Sequence, residues 1–295
     1  MIREIKITSL TGRGVVTMAS RQYWAYWLGE VDWGQVEGNH QSYSYLNQVG
    51  ESIVSTTVRS RPISIQGWVM NIDGNMQERC DFLNQFISPV EDYELEYKGK
   101  KIQFRPDISV KYGRPYMSNN EMVREFLIQG TCPYPLFQDS ENTEVLFNQT
   151  IKLFHFPTDF GQSKPLSFAN VSRAYRTTIN NRGGFSTGIT ARIKFTGGVT
   201  GPRIRSLTAG KLIGIDRVFE RGEQVEINSH PGRKTITLYN SDGTTENLIK
   251  YRDYETSWFL LQPGNNDISY ECENEDERDN MEVTLFYTPL YLEVE

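Results

Sequence analysis

The three histidines, His40, His155 and His230, stand far apart in the chain. None lies in an HExxH pair or beside a serine or cysteine in a nucleophile-elbow setting, so each reads as an ordinary loop or strand histidine. Carboxylates recur in pairs, Glu94 with Glu96 and Asp253 with Glu255. Strand alternation puts residues i and i+2 on one face, where like charges merely solvate it; a glycosidase needs two carboxylates across one cleft, about 5–10 Å apart. The cysteines, Cys80, Cys132 and Cys272, are odd in number and widely separated, which fits neither a zinc site nor a disulfide framework. The strongest charge feature is the run Glu273, Glu275, Asp276, Glu277 and Asp279. It lacks the oxygen spacing and internal glycine of an EF-hand loop and reads as a solvated loop between strands, with weak calcium binding or a basic partner as the alternative. No enzyme, cofactor or metal is expected from these residues.

Aromatic residues offer a different chemistry. Tyr23, Trp24, Tyr26, Trp27 and Trp33 form the densest patch, with Tyr43 and Tyr45 following. The patch reads as a core or subunit-interface contribution; the alternative is a stacking platform for sugar or single-stranded nucleic acid, for which only Arg21 supplies a cation. In the second half the one tryptophan is Trp258. It could stack on a pyranose, though the apolar run Ser257 to Leu261 suits a core position equally well. The pair Gly12 and Gly14 precedes no helical pattern and makes a turn, not a phosphate loop.

Length and composition set the frame. With 295 residues, two domains are expected. A formal net charge of −6 argues against a general nucleic-acid coat, which would carry a basic stripe. The first residues lack the apolar run of a signal peptide, and no segment approaches the roughly 18 apolar residues of a membrane span. Synthesis in a reducing cytoplasm is the expectation, which leaves the sequons at Asn148 and Asn170 incidental.

The elements that would position these residues follow from periodicity. A strand is expected at 2–7. Ile63, Ile65 and Val69 alternate with Ser64, Gln66 and Trp68 as in a half-buried strand, and Gly67 suggests a bulge. After Asp73-Gly74, Asn75 is a plausible N-cap, with Glu78 at the third helical position. Met76, Cys80, Leu83 and Ile87 then recur at helical spacing, flanked by Phe82 and Phe86, until Ser88-Pro89 stops the helix. Tyr93, Leu95 and Tyr97 return through Lys98-Gly99 to Ile102 and Phe104, a hairpin. Strands at 108–114 and 122–129 flank a polar tip at 117–121 that could reach a neighbouring subunit. Two prolines after Cys132 end the sheet and place the domain boundary near Asp139, giving domains 1–139 and 140–295. The second half shows short strands and no helix, as in an all-β sandwich, with strands expected around 175–179, 189–195, 225–227, 236–238, 259–261 and 281–287.

The order of Arg61-Pro62-Ile63-Ser64-Ile65-Gln66-Gly67, the helix ending at Pro89, the hairpin Tyr93 to Phe104, Phe126-Leu127-Ile128 and Cys132-Pro133-Tyr134-Pro135-Leu136-Phe137 resembles the distal tail protein of siphophages. Ile179-Asn180-Asn181 with Gly183, Gly201-Pro202-Arg203-Ile204, Gly222-Glu223 and Pro263-Gly264-Asn265-Asn266 resemble the C-terminal half of longer members. The first sixty residues match least well. The resemblance implies a mainly β fold: an N-terminal β-sandwich or split-barrel ring domain with one short helix and a β-hairpin, then a C-terminal galectin-like β-sandwich. It implies a virion structural protein at the tail tip, a homohexameric ring joining the tail-tube protein to the tail-tip hub protein and holding receptor-binding or side-fibre proteins. DNA would pass through the channel without specific binding, so a strongly basic lining is not expected. On this reading the ring-building candidates are Met76, Arg79, Leu83 and Phe86 on the helix, with Tyr93, Leu95, Tyr97, Ile102 and Phe104 on the hairpin. The competing expectation is a carbohydrate-binding module in the C-terminal sandwich, with Trp258 as its ligand-binding residue.

Overall fold

The computed structural model describes residues 3–21, 23–113, 122–152, 169–240 and 242–294. His155, the hairpin tip 117–121 and the side chains of both sequons lie outside what it describes. The chain divides into two compact units, Met1–Ser140 with Tyr291–Glu295, and Glu141–Leu290.

In the first unit seven strands follow one another around a barrel-like sheet: Lys100–Pro106, Tyr93–Tyr97, Glu4–Ser9, Val15–Ala19, Tyr26–Asp32, Arg61–Met70 and Val123–Cys132. Gly130 and Thr131 pair back onto Pro106 and Arg105 and close the circuit. Its weakest joint is the single parallel pair between Ala19 and Trp27. Alternation governs each strand. Ile5 and Ile7, Ile63, Ile65 and Val69, Tyr93 and Leu95, Ile102 and Phe104, Phe126 and Ile128 all point inward and are buried. The turn at Lys98-Gly99 has positive φ at both residues, the pairing that a two-residue hairpin with right-handed twist requires.

Helix Met76–Phe86 covers this core with Cys80, Leu83 and Phe86. Asn75 occupies the N-cap, but its side chain makes no capping bond; the start is held by Glu78 in the first turn and by Arg79, which donates to the Met70 carbonyl at 2.6 Å. The expected bulge is displaced across the ladder. Register slips between Leu28 and Glu30, so the extra residue is Gly29 on the neighbouring strand, while Arg61–Met70 runs unbroken. Gly67 serves a different purpose: a Cβ there would meet the Trp27 carbonyl at 2.3 Å and the Phe126 ring at 2.7 Å.

The last residues depart from the expectation that 140–295 is one piece. Tyr291 and Val294 pack on the first unit's core, and the Tyr291 hydroxyl reaches the Asp139 carboxylate at 3.2 Å. Arg61, fully buried with its guanidinium over Phe137, donates to the Leu292 carbonyl. Burial pushes its pKa down from the usual arginine range. The second unit is therefore inserted between residues 140 and 291 of the first.

The second unit is a two-sheet sandwich. One sheet orders Thr143–Leu146, Met281–Tyr287, Ile189–Phe195, Gln224–Asn228, Thr235–Tyr239 and Thr245–Asn247. The other orders Arg176–Asn181, Gly264–Glu271, Arg203–Ser206 and Lys211–Gly214. Ile189, Ala191, Ile193, Ile227 and Leu285 from the first meet Ile179, Ile204, Ile213, Ile268 and Tyr270 from the second in one core. The strand expected at 259–261 is instead a buried connection, joined only by an isolated bridge between Thr187 and Leu261. Pro263 has no donor, so the strand proper begins only at Gly264, which sits at φ 87°.

Candidate functional site

Among the described residues, most of those singled out for catalysis or metal binding are engaged locally. His40 Nδ1 lies 2.9 Å from Thr56 Oγ1 on an exposed hairpin; His230 Nδ1 lies 2.9 Å from Asn228 Oδ1, and burial, with Arg233 adding to it, lowers its pKa. Glu94 and Glu96 face Lys101 and Lys6 at 3.4 and 3.5 Å. Asp253 accepts from Arg203 at 2.8 Å and from the Glu255 backbone at 2.9 Å. In the acidic run, a short 3₁₀ helix Glu275–Asn280, Glu277 accepts from the Thr200 backbone and the Asn274 amide. Those two bonds hold its carboxyl below the usual glutamate range. Among the described residues no group of three His, Cys, Asp or Glu could hold a metal. All three thiols are free and buried, and burial pushes Cys132 up to about 12. Trp258 is half-buried against the second core, with Lys234 Nζ 5.8 Å from its ring.

The nine ring-building candidates divide by burial. Leu83, Phe86, Tyr93, Leu95, Ile102 and Phe104 are interior to the first unit. The Tyr93 hydroxyl donates to the Phe86 carbonyl and accepts from Ser88 N at 2.9 Å, fastening helix end to hairpin. Met76, Arg79 and Tyr97 are partly buried; Tyr97 stands 5.4 Å from Trp33. Period and spacing identify the apolar face but do not say what covers it, and here the first unit's own core covers it. What the helix leaves in solvent is Phe82, 49 % exposed and stacked on Phe86 at 5.9 Å.

The aromatic patch is similarly divided. Tyr26 is core, its hydroxyl bonded to the Arg79 carbonyl at 3.1 Å and its pKa pushed up to about 12 by burial. Trp24 donates to the Thr17 carbonyl at 2.9 Å, and Trp33 packs edge-on against Phe137 at 5.3 Å. Tyr23 is exposed. Trp27 turns to the outer face and pairs across the ladder with Trp68, ring centroids 5.0 Å apart.

Sequence reading missed the hairpin Gly38–Tyr43 and Ser52–Val58 altogether. Among the described residues it pairs only with itself, and nearly every residue of both strands is exposed. Tyr43, Tyr45, Leu46, Val49, Ile53, Val54 and Val58 all stand in solvent, Leu46 and Val49 almost completely. Alternation could not find strands wetted on both faces. The available signal was the near absence of charge, since Glu51 is the one charged residue between 38 and 58.

Residues 182–291 match the family of siphovirus-type tail components, C-terminal domain. This stretch is a siphovirus-type tail component domain. Over its length the chain is similar in fold to the Dit protein of phage SPP1, described as a paradigm of hub adsorption apparatus in phages infecting Gram-positive bacteria. The TM-score is 0.62 at 14 % identity, covering 91 % of this chain and 94 % of that one. Chains of the phage P2 baseplate, solved in its activated conformation with calcium and with strontium, match at TM-scores of 0.52 and 0.51 with 13 and 14 % identity and full coverage of both chains. No curated protein matches it in sequence.

Proposed function

We propose that this tail component is a non-enzymatic structural protein of the distal tail or baseplate of a long non-contractile-tailed phage. Its first units close into a six-membered ring between the tail-tube protein and the tail-tip hub, and its second units carry receptor-binding or side-fibre proteins. The family match over 182–291 supports the placement in a tail. Support for self-association comes from the hairpin 38–58. An isolated two-stranded hairpin is marginal in water, and exposed strands normally carry charge or proline to block pairing; the two strands here carry neither. Exposed apolar side chains concentrated on one hairpin support a contact site there. Cyclic closure needs a heterologous contact, two different surfaces per copy, and the hairpin with Phe82 on the helix supplies candidates for both. The buried candidates Leu83, Phe86, Tyr93, Leu95, Ile102 and Phe104 act in this reading by shaping the unit that presents those surfaces.

Light scattering on the full-length chain tests the proposal. A particle of six times the 34.0 kDa chain mass is expected. A strict monomer at high concentration contradicts it.

A further inference from the structure

We propose that the first unit carries a saccharide-binding site on the outer face of strands Tyr26–Asp32 and Arg61–Met70, independent of ring formation. An open cavity of about 490 Å³ lies there, lined by Arg3, Trp27, Gly29, Glu30, Gln66 and Trp68, within the size range of small-ligand sites. Its floor is the tilted Trp27–Trp68 pair. The bulge at Gly29 builds it: a Cβ at Gly29 would meet the Trp68 ring at 2.7 Å, so glycine lets the indole lie over the backbone, and the register slip re-aims Glu30.

The polar rim is unspent. Among the described residues the Arg3 guanidinium, the Glu30 carboxylate and both indole N–H groups have no hydrogen-bond or ion-pair partner, whereas Trp24 and Glu125 do. Gln66 donates its amide to Glu125, which leaves its carbonyl oxygen as an acceptor. An aromatic floor with donors and acceptors of both kinds around it fits a pyranose, apolar on one face and hydroxylated at its edge. A nucleic-acid base would want a basic groove, and Arg3 is balanced here by Glu30.

The test is titration of the full-length protein with maltotriose and with N-acetylglucosamine trimer, read by tryptophan fluorescence and saturation-transfer NMR. A saturable response in about the millimolar range is expected for at least one sugar. It should disappear in Trp68→Ala, weaken about tenfold in Glu30→Gln, which leaves the floor intact, and persist in Trp258→Ala. The proposal is overturned if neither sugar gives a saturable response, if Glu30→Gln binds like the parent, or if Trp258→Ala abolishes the response. Since the ring is read by mass and this site by titration, failure of one leaves the other standing.

Discussion

In the first unit Tyr43, Tyr45, Leu46, Val49, Ile53, Val54 and Val58 crowd one hairpin with a single carboxylate among them, whereas the second unit's exposed apolar side chains, from Leu146 to Tyr254, are spread over more than a hundred residues. Charge does not separate the units. Arg176, Arg192, Arg203, Arg205 and Arg217 in the second unit each meet an Asp or Glu of the same unit within 3.3 Å. Exposed pairs of this kind add little stability, and the first unit has them too, Arg13, Arg79 and Arg105 meeting Glu91, Asp73 and Asp92. The contrast lies in apolar surface and points to where self-association should lie: the first unit crowds it on one hairpin, and the second scatters it.

The most disruptive way to break this contrast is at the hairpin. Leu46→Asp with Val49→Asp should reduce the assembly to single chains in light scattering with the melting temperature of the protomer kept, because both side chains touch solvent in the protomer. Tyr254→Asp, equally exposed in the second unit, should leave the mass unchanged. If both behave alike, the two surfaces do not differ.

Core truncation should act on stability instead. Phe104→Ala in the first unit should cost about 3–5 kcal/mol by denaturant melts, and Ile227→Ala in the second about 2–5 kcal/mol. Separate transitions for the two variants would sharpen the division into units. A smaller effect is expected from removing Tyr291–Glu295. Loss of the Tyr291 and Val294 contacts should destabilise the first unit by about 1–3 kcal/mol and leave the second unit's transition in place.

The smallest effect concerns pH. Burial lowers the His230 pKa in the folded chain, so the unfolded chain binds the proton more tightly. The second unit should therefore hold its full stability above the ordinary histidine pKa and lose some as pH falls through and below it. His230→Gln should flatten that dependence in thermal melts at pH 5 and pH 7, with the first unit unaffected.

Much of the fold was legible because its strands have one wet and one dry face. The hairpin 93–104, the long strand after Arg61, the helix and the strands at 189–195 and 281–287 all carry that alternation. The signal failed in two circumstances. At 38–58 both faces are wet, so β-propensity is present without period. At Gly264–Glu271 a proline and a left-handed glycine at the start read as a turn and concealed the strand behind them. The proposed association surface was legible only in part for a related reason: apolar period marks a residue for burial, and Leu83 or Phe104 buried within one chain looks the same in sequence as one buried between copies. The Trp27–Trp68 pair needed the register of two strands 41 residues apart in sequence, which no local pattern supplies.

Hydrogen exchange on the full-length chain, compared at concentrations below and above self-association, tests most directly whether assembly lies in the first unit. Added protection at 38–58 and on the helix Met76–Phe86, with Glu141–Leu290 unchanged, is the expected result. Protection gained only within Glu141–Leu290 would contradict it.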